Sequence, residues 1–193
     1  MNRIAKIYQF VYRGQLAEEA LDRAGRKRSA HSAHLDTKIA ETLSLSLLDD
    51  QRVADARSMA TVYTAVAAFE NSVRELISGV LFEAKGEDWW NTSVSEKIRS
   101  RAENLKDEEK RIRWHAARGT DPIYYTTMTD LVSILRQNWT LFEAFIPSIE
   151  WASNILDTLQ RSRNVIMHSG RLDKPDIERI GILLRDWLRQ VGA

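Results

Sequence analysis

The chain lacks cysteine and has few of the residues that form tight turns. None of its 193 residues is Cys, which excludes disulfides, thiolate zinc sites, iron–sulfur clusters and cysteine nucleophiles. Its eight Gly and three Pro are about half of the usual share. Sandwiches and barrels need a turn about every ten residues, whereas a few long helices do not. The low turn content therefore predicts an all-α protein.

An excess of charge of one sign and long apolar runs are also missing. The 28 basic residues nearly balance the 27 acidic ones, so a nucleic-acid surface would have to be a local patch. No stretch approaches the roughly 18 apolar residues of a membrane span. The first residues, MNRIAKIYQFVYRG, have no signal-peptide core. We therefore expect a soluble, cytoplasmic protein that does not bind membranes.

The spacing of apolar residues predicts the helices. Between residues 53 and 81 apolar side chains recur every three or four positions, which predicts a helix that ends at Lys85-Gly86. Ser93 and Glu96 have the spacing of a capping box before a short helix. Further apolar patterns predict helices around residues 131–135, 139–146, 149–163 and 175–188. We predict an antiparallel helical bundle over residues 51–193, with residues 1–50 as an N-terminal helical extension of unknown role.

One motif between the last two predicted helices carries chemistry: Arg163-Asn164-Val165-Ile166-Met167-His168. Arg163 offers a planar, permanently charged donor fork for a phosphodiester, and His168 can transfer a proton near neutral pH. Asn164 can hold a phosphate or orient the imidazole. Cleavage of RNA by its own 2′-hydroxyl needs positioning, proton transfer and charge stabilisation, but no metal or other cofactor. The motif therefore indicates ribonuclease chemistry.

The spacing of this motif poses a geometric problem. Arg163 and His168 are five positions apart, or about 140° around a regular helix, so they do not share a face. They converge only if the chain bends, for which Ser169-Gly170 offers a place, or if two copies of the chain meet. On the long helix, Glu70 interrupts an apolar stripe. It is either an exposed glutamate or a supporting residue that holds the Arg163 guanidinium.

A basic run near the N-terminus is the second candidate segment. Arg26, Lys27 and Arg28 are candidate RNA-binding residues, and the alternative is a solvated helix turn. Arg26 and His31 repeat the motif's spacing, and Arg28 and His34 lie one residue further apart, so spacing alone is not specific. His31 and His34 lack enough neighbouring ligands for a zinc site, and we expect no metal there.

The context of the motif resembles the HEPN superfamily, in which Arg, a polar residue, about three apolar residues and His lie near the junction of the third and fourth core helices. RNVIMH has this order, and ENSVRELI, with Glu70 and Arg74, looks like the first core helix. The segments YYTTMTDLVSILRQNWTLFEAF and Asp88-Trp89-Trp90 are similar to the Swt-type HEPN branch. The resemblance covers about residues 55–190.

This resemblance implies a homodimer in which Arg163, Asn164 and His168 of both chains line one cleft. The protein would be a metal-independent endoribonuclease that cleaves single-stranded RNA and leaves 2′,3′-cyclic phosphate and 5′-hydroxyl ends. Family members serve as toxins or antiviral defence effectors, which implies an antitoxin or defence-system partner. Two alternatives stay open: a non-catalytic HEPN-like dimer that acts as a scaffold or regulatory partner, and a helical interaction domain in which RNVIMH is accidental.

Overall fold

The computed structural model describes residue 21 and residues 36–192. The chain divides into two compact units, Met1–Ala54 and Asp55–Ala193, whereas the sequence prediction placed a boundary after residue 50. In the first unit, residues 36–42 are helical and Leu45–Leu47 form a 3-10 turn. The basic run Arg26–Arg28 lies outside the described residues, as do His31 and His34, so those hypotheses stay predictions.

Helices dominate the part of the chain that the structure describes, and no strand occurs there, so the prediction of an all-α helical bundle is confirmed. The helices are α1 Asp50–Lys85, α2 Trp89–Ser93, α3 Glu96–Arg111, α4 Met128–Gln137, α5 Trp139–Phe142, α6 Ile149–Met167 and α7 Lys174–Val191. Gly86–Asp88 and Pro122–Tyr125 form 3-10 turns. None of the helices in residues 36–192 combines the length and apolarity needed to cross a membrane.

The long helix α1 supplies one wall of the core. Its buried side chains recur at three- and four-residue intervals: Met59, Val62, Val66, Phe69, Glu70, Val73, Ile77 and Leu81. The helix ends as predicted, because Gly86 has a left-handed backbone with φ of 71°. In the same core, the Trp187 ring of α7 forms a T-shaped contact with Phe69, with the ring centroids 5.4 Å apart. It also stacks on the Trp151 ring of α6, with the centroids 5.5 Å apart. These aromatic contacts join α1, α6 and α7.

The predicted capping box at Ser93 is wrong. Ser93 is the last residue of α2, and α3 begins at Glu96 with Ser95 at its N-cap. The Ser93 hydroxyl is buried and makes no hydrogen bond with the described residues, while its carbonyl accepts a 2.8 Å hydrogen bond from Asn138 Nδ2, which ties the end of α2 to the end of α4. A capping box does occur at the start of α4, where the side chains of Thr127 and Asp130 exchange hydrogen bonds with each other's backbone N–H groups.

Candidate functional site

The buried stripe of α6 carries Arg163 towards α1. Its members are Ala152, Ile155, Leu156, Leu159 and Ser162. Arg163 lies one helical turn after Leu159, so it occupies the next position of that stripe. Its side chain is accordingly 34% exposed, an intermediate value for an arginine so close to a core. The periodicity of α6 therefore places a permanent charge at the edge of the bundle.

Glu70 of α1 forms an ion pair with Arg163. Its Oε2 atom lies 3.6 Å from Arg163 Nε, and its Oε1 atom forms an ion pair with Nη2 of Arg74. The Glu70 side chain is only 8% exposed, so the carboxylate is buried between two guanidinium groups. Burying a carboxylate without such partners would be costly. The sequence-predicted residues Glu70 and Arg163 are thus brought together.

The two arginines are held differently. Arg74 is 11% exposed, and besides its ion pair with Glu70 it donates to the Thr126 carbonyl at 3.0 Å and to Asn71 Oδ1 at 2.8 Å. Arg163 Nε lies 3.6 Å from Glu70 Oε2, which is too far for a hydrogen bond, and its two Nη groups form no hydrogen bond with any residue that the structure describes. Arg74 therefore anchors the carboxylate, whereas Arg163 keeps the outer edge of its fork available to an anion.

His168 lies at the end of α6. It is the C-cap residue, and its backbone N–H still donates to the Asn164 carbonyl at 3.1 Å. Its side chain is exposed and makes no hydrogen bond with other residues of the described range. An exposed imidazole has access to solvent and to a substrate, which proton transfer requires.

The turn after His168 differs from the expected one. The left-handed residue is Ser169, with φ of 60°, and not Gly170. The N–H of Ser169 donates to the Ile166 carbonyl at 3.0 Å, and that of Gly170 donates to the Val165 carbonyl at 2.8 Å, which is the Schellman pattern. Gly170 is required for a different reason, because a Cβ there would lie 2.7 Å from Val165 Cγ1. The bend therefore follows His168 and does not separate it from Arg163.

Because α6 stays regular through Met167, the three motif residues are not brought together within one chain. Arg163 faces Glu70, whereas His168 lies about 140° further around the helix axis. Asn164 is exposed, and its Oδ1 atom accepts a 3.3 Å hydrogen bond from Gln160 Nε2. A single chain therefore presents the Arg163 guanidinium and the His168 imidazole on different faces of α6.

Within residues 36–192, no three His, Asp or Glu side chains come together as a potential metal site. Compared with known proteins, the chain matches no family model, no curated protein and no solved structure.

Proposed function

We propose that the protein is a metal-independent endoribonuclease that cleaves single-stranded RNA at Arg163 and His168. The observation that carries this proposal is the pairing at Arg163. Glu70 forms an ion pair beside the inner Nε edge of its guanidinium, while the outer Nη groups form no hydrogen bond with the described residues. Such an arrangement aims a positioned donor fork at an anion. The exposed His168 supplies the proton chemistry that a phosphodiester needs.

In the proposed reaction, His168 removes the proton from a ribose 2′-hydroxyl, and the 2′-oxygen attacks the adjacent phosphorus. The bond to the 5′-oxygen breaks, and this oxygen takes up a proton as it leaves, from the His168 of a second copy. Arg163 stabilises the negative charge that develops on the phosphoryl oxygens. The products are a 2′,3′-cyclic phosphate and a 5′-hydroxyl, so the atoms balance without any metal or cofactor.

A second copy of the chain completes the site in this proposal, because Arg163 and His168 face apart in one copy. Large apolar side chains are exposed beside the motif and on α7: Val165 at 40%, Met167 at 55%, Ile182 at 50% and Leu188 at 42%. Burying them against a second copy, in an interface of more than about 1,000 Å², would support a stable dimer. Light scattering should then give twice the 22.2 kDa of one chain at micromolar concentration, and a monomer would count against a two-copy site.

Substitutions at the motif test the proposal. His168→Ala should reduce cleavage of a single-stranded RNA by at least about 10²-fold, as expected for loss of a general acid or base. Arg163→Lys should also lose most activity, because an ammonium group cannot replace the planar fork. His31→Ala and His34→Ala are matched controls, since each has an arginine at a similar spacing but lacks the Asn and the apolar residues. If the controls lose activity while His168→Ala retains it, the motif is misassigned.

The exposed apolar side chains also favour a second candidate, a non-catalytic dimer that acts as a scaffold or regulatory partner. That candidate predicts a dimer which cleaves no RNA and whose partner binding survives His168→Ala. On the ribonuclease proposal, and by analogy with the HEPN superfamily, the protein acts as a toxin or antiviral effector that another protein holds in check. In this proposal Arg26, Lys27 and Arg28 add affinity for RNA phosphates without taking part in the chemical step.

A further inference from the structure

A cleft of about 560 Å³ opens along α1, and neither Arg163 nor His168 lines it. We call it the aromatic cleft. Its sides are formed by one face of α1 from Arg74 to Phe82, by the start of α2 and by the 3-10 turn at Pro122–Tyr125. Its volume lies within the range of about 300–1,000 Å³ that is typical of small-molecule sites.

Four aromatic side chains line the aromatic cleft: Phe82, Trp89, Trp90 and Tyr124. Phe82 is 52% exposed, which is high for a phenylalanine in a helix that packs on the core. The two tryptophan rings meet edge to face with their centroids 5.6 Å apart, so they present differently oriented surfaces. Aromatic faces attract organic cations through the ring quadrupole and cover alkyl chains by apolar contact.

Three carboxylates from three separate places also line the aromatic cleft: Glu75 on α1, Glu87 in the turn after it, and Asp121 before Pro122. None of them forms an ion pair or a side-chain hydrogen bond with another residue of the described range. Asp121 stands at the N-cap of its 3-10 turn without capping it. The cleft's basic residue, Arg74, already has its charge balanced by Glu70. The lining is therefore negatively charged overall.

These carboxylates are not arranged to hold one metal ion, since no group of three potential ligands comes together in residues 36–192. A ligand that matches them needs several positive charges separated by apolar spacers. The aromatic walls fit the spacers and add cation–π contacts to the charges.

Gly79 strengthens this interpretation. It lies in the middle of α1, lines the aromatic cleft, and has no positive φ that would require glycine. A Cβ built there would meet no atom within 4 Å. Glycine weakens a helix interior by about 1 kcal/mol relative to alanine, and packing does not compensate here. The absence of a side chain keeps the cleft open along the α1 face.

We propose that the aromatic cleft binds a linear aliphatic polyamine, with its ammonium groups paired to Glu75, Glu87 and Asp121 and its methylene segments against the tryptophan, tyrosine and phenylalanine rings. This site shares no residue with the RNVIMH motif, so spermidine binding and RNA cleavage are measured separately.

Isothermal titration calorimetry of the full chain with spermidine tests this proposal. Wild type should bind spermidine saturably and butylamine, which carries one charge, more weakly. Glu75→Gln and Asp121→Asn should each weaken spermidine binding about two- to fivefold, as expected for loss of one partly exposed ion pair. Added NaCl should weaken it further, because salt screens exposed charges. Gly79→Leu should abolish binding by filling the cleft, and it should fold, since its Cβ meets no neighbour.

Glu83→Gln is the matched control, because Glu83 is exposed on the same helix and does not line the aromatic cleft. This variant should bind spermidine like wild type. Three results would each overturn the proposal. These are the lack of a saturable heat with wild type, unchanged binding by Gly79→Leu, and equal weakening by Glu75→Gln and Glu83→Gln. Binding of a lysine-rich peptide without binding of spermidine would assign the cleft to a protein partner instead.

Discussion

The two arginines that share the Glu70 carboxylate should contribute very unequally to stability. Arg74→Met removes a side chain that is 11% exposed, breaks the ion pair with Glu70 and leaves the Thr126 carbonyl without its 3.0 Å donor. Breaking a buried, hydrogen-bonded ion pair costs about 3–5 kcal/mol. Arg163→Met removes a side chain that is 34% exposed and lies 3.6 Å from Glu70. A pair of that kind contributes about 0–1 kcal/mol.

Thermal unfolding followed by circular dichroism measures the difference. One kcal/mol shifts the midpoint of a chain of this size by about 2–4 °C. Arg74→Met should therefore lower the midpoint by about 6–20 °C, and Arg163→Met by less than about 4 °C. Arg136→Met is the control and should leave the midpoint unchanged, because Arg136 is exposed on α4 and forms no ion pair with the residues that the structure describes. If Arg163→Met destabilises the protein as much as Arg74→Met, then Arg163 is a structural anchor and its assignment to phosphate binding fails.

Three other substitutions test the local structure, two in the turn after His168 and one where the end of α3 meets the loop that follows it. Ser169→Gly should raise the free energy of unfolding by about 0.5–1 kcal/mol in urea titrations, because glycine relieves the left-handed strain at φ of 60°. The greater entropy of glycine in the unfolded chain offsets only part of this gain. Gly170→Ala should lower it by about 1–3 kcal/mol, since its Cβ would lie 2.8 Å from the Val165 carbonyl oxygen. The Arg118 backbone N–H donates to Glu109 at 3.0 Å and holds the pKa of that carboxyl below its ordinary value. Glu109 therefore adds stability above the unfolded-state pKa and loses it as the pH falls through the lower folded-state pKa. Melts of Glu109→Gln should converge with wild type in acid, and a constant difference at every pH would contradict this sign.

Apolar spacing was sufficient to predict the longer helices because each of them buries side chains at helical intervals. Helix α1 shows this best, since its periodicity and the Lys85-Gly86 stop both appear in the structure. The short helices were harder: α2 buries only Ser93 and was not predicted, and α5 ends at Phe142 although the apolar pattern continues to residue 146. Helix caps were harder to predict, because a Ser-x-x-Glu spacing indicates only a local preference for starting a helix at the serine. Ser93 instead ends α2, where its carbonyl accepts a hydrogen bond from Asn138, 45 residues away. Local patterns do not contain such partners.

The site was predicted in part for the same reason. The position of Arg163 on the α6 stripe, four residues after Leu159, could have indicated its contact with α1. The sequence predicts the bend at glycine, but in the structure Ser169 has the left-handed backbone. Gly170 is needed instead because it lies too close to Val165 to carry a Cβ. The aromatic cleft has no signature in the sequence, since its lining comes from separate elements that only the tertiary structure assembles.

The most direct test of the central claim is the chemistry of the RNA ends. A 5′-labelled single-stranded RNA is incubated with the protein in EDTA, alongside His168→Ala and alongside an RNA with 2′-deoxyribose throughout. We expect that wild type produces 2′,3′-cyclic phosphate and 5′-hydroxyl ends, that His168→Ala produces neither, and that the deoxy substrate stays intact. Cleavage that EDTA abolishes, products with 3′-hydroxyl ends, or cleavage of the deoxy substrate would contradict it.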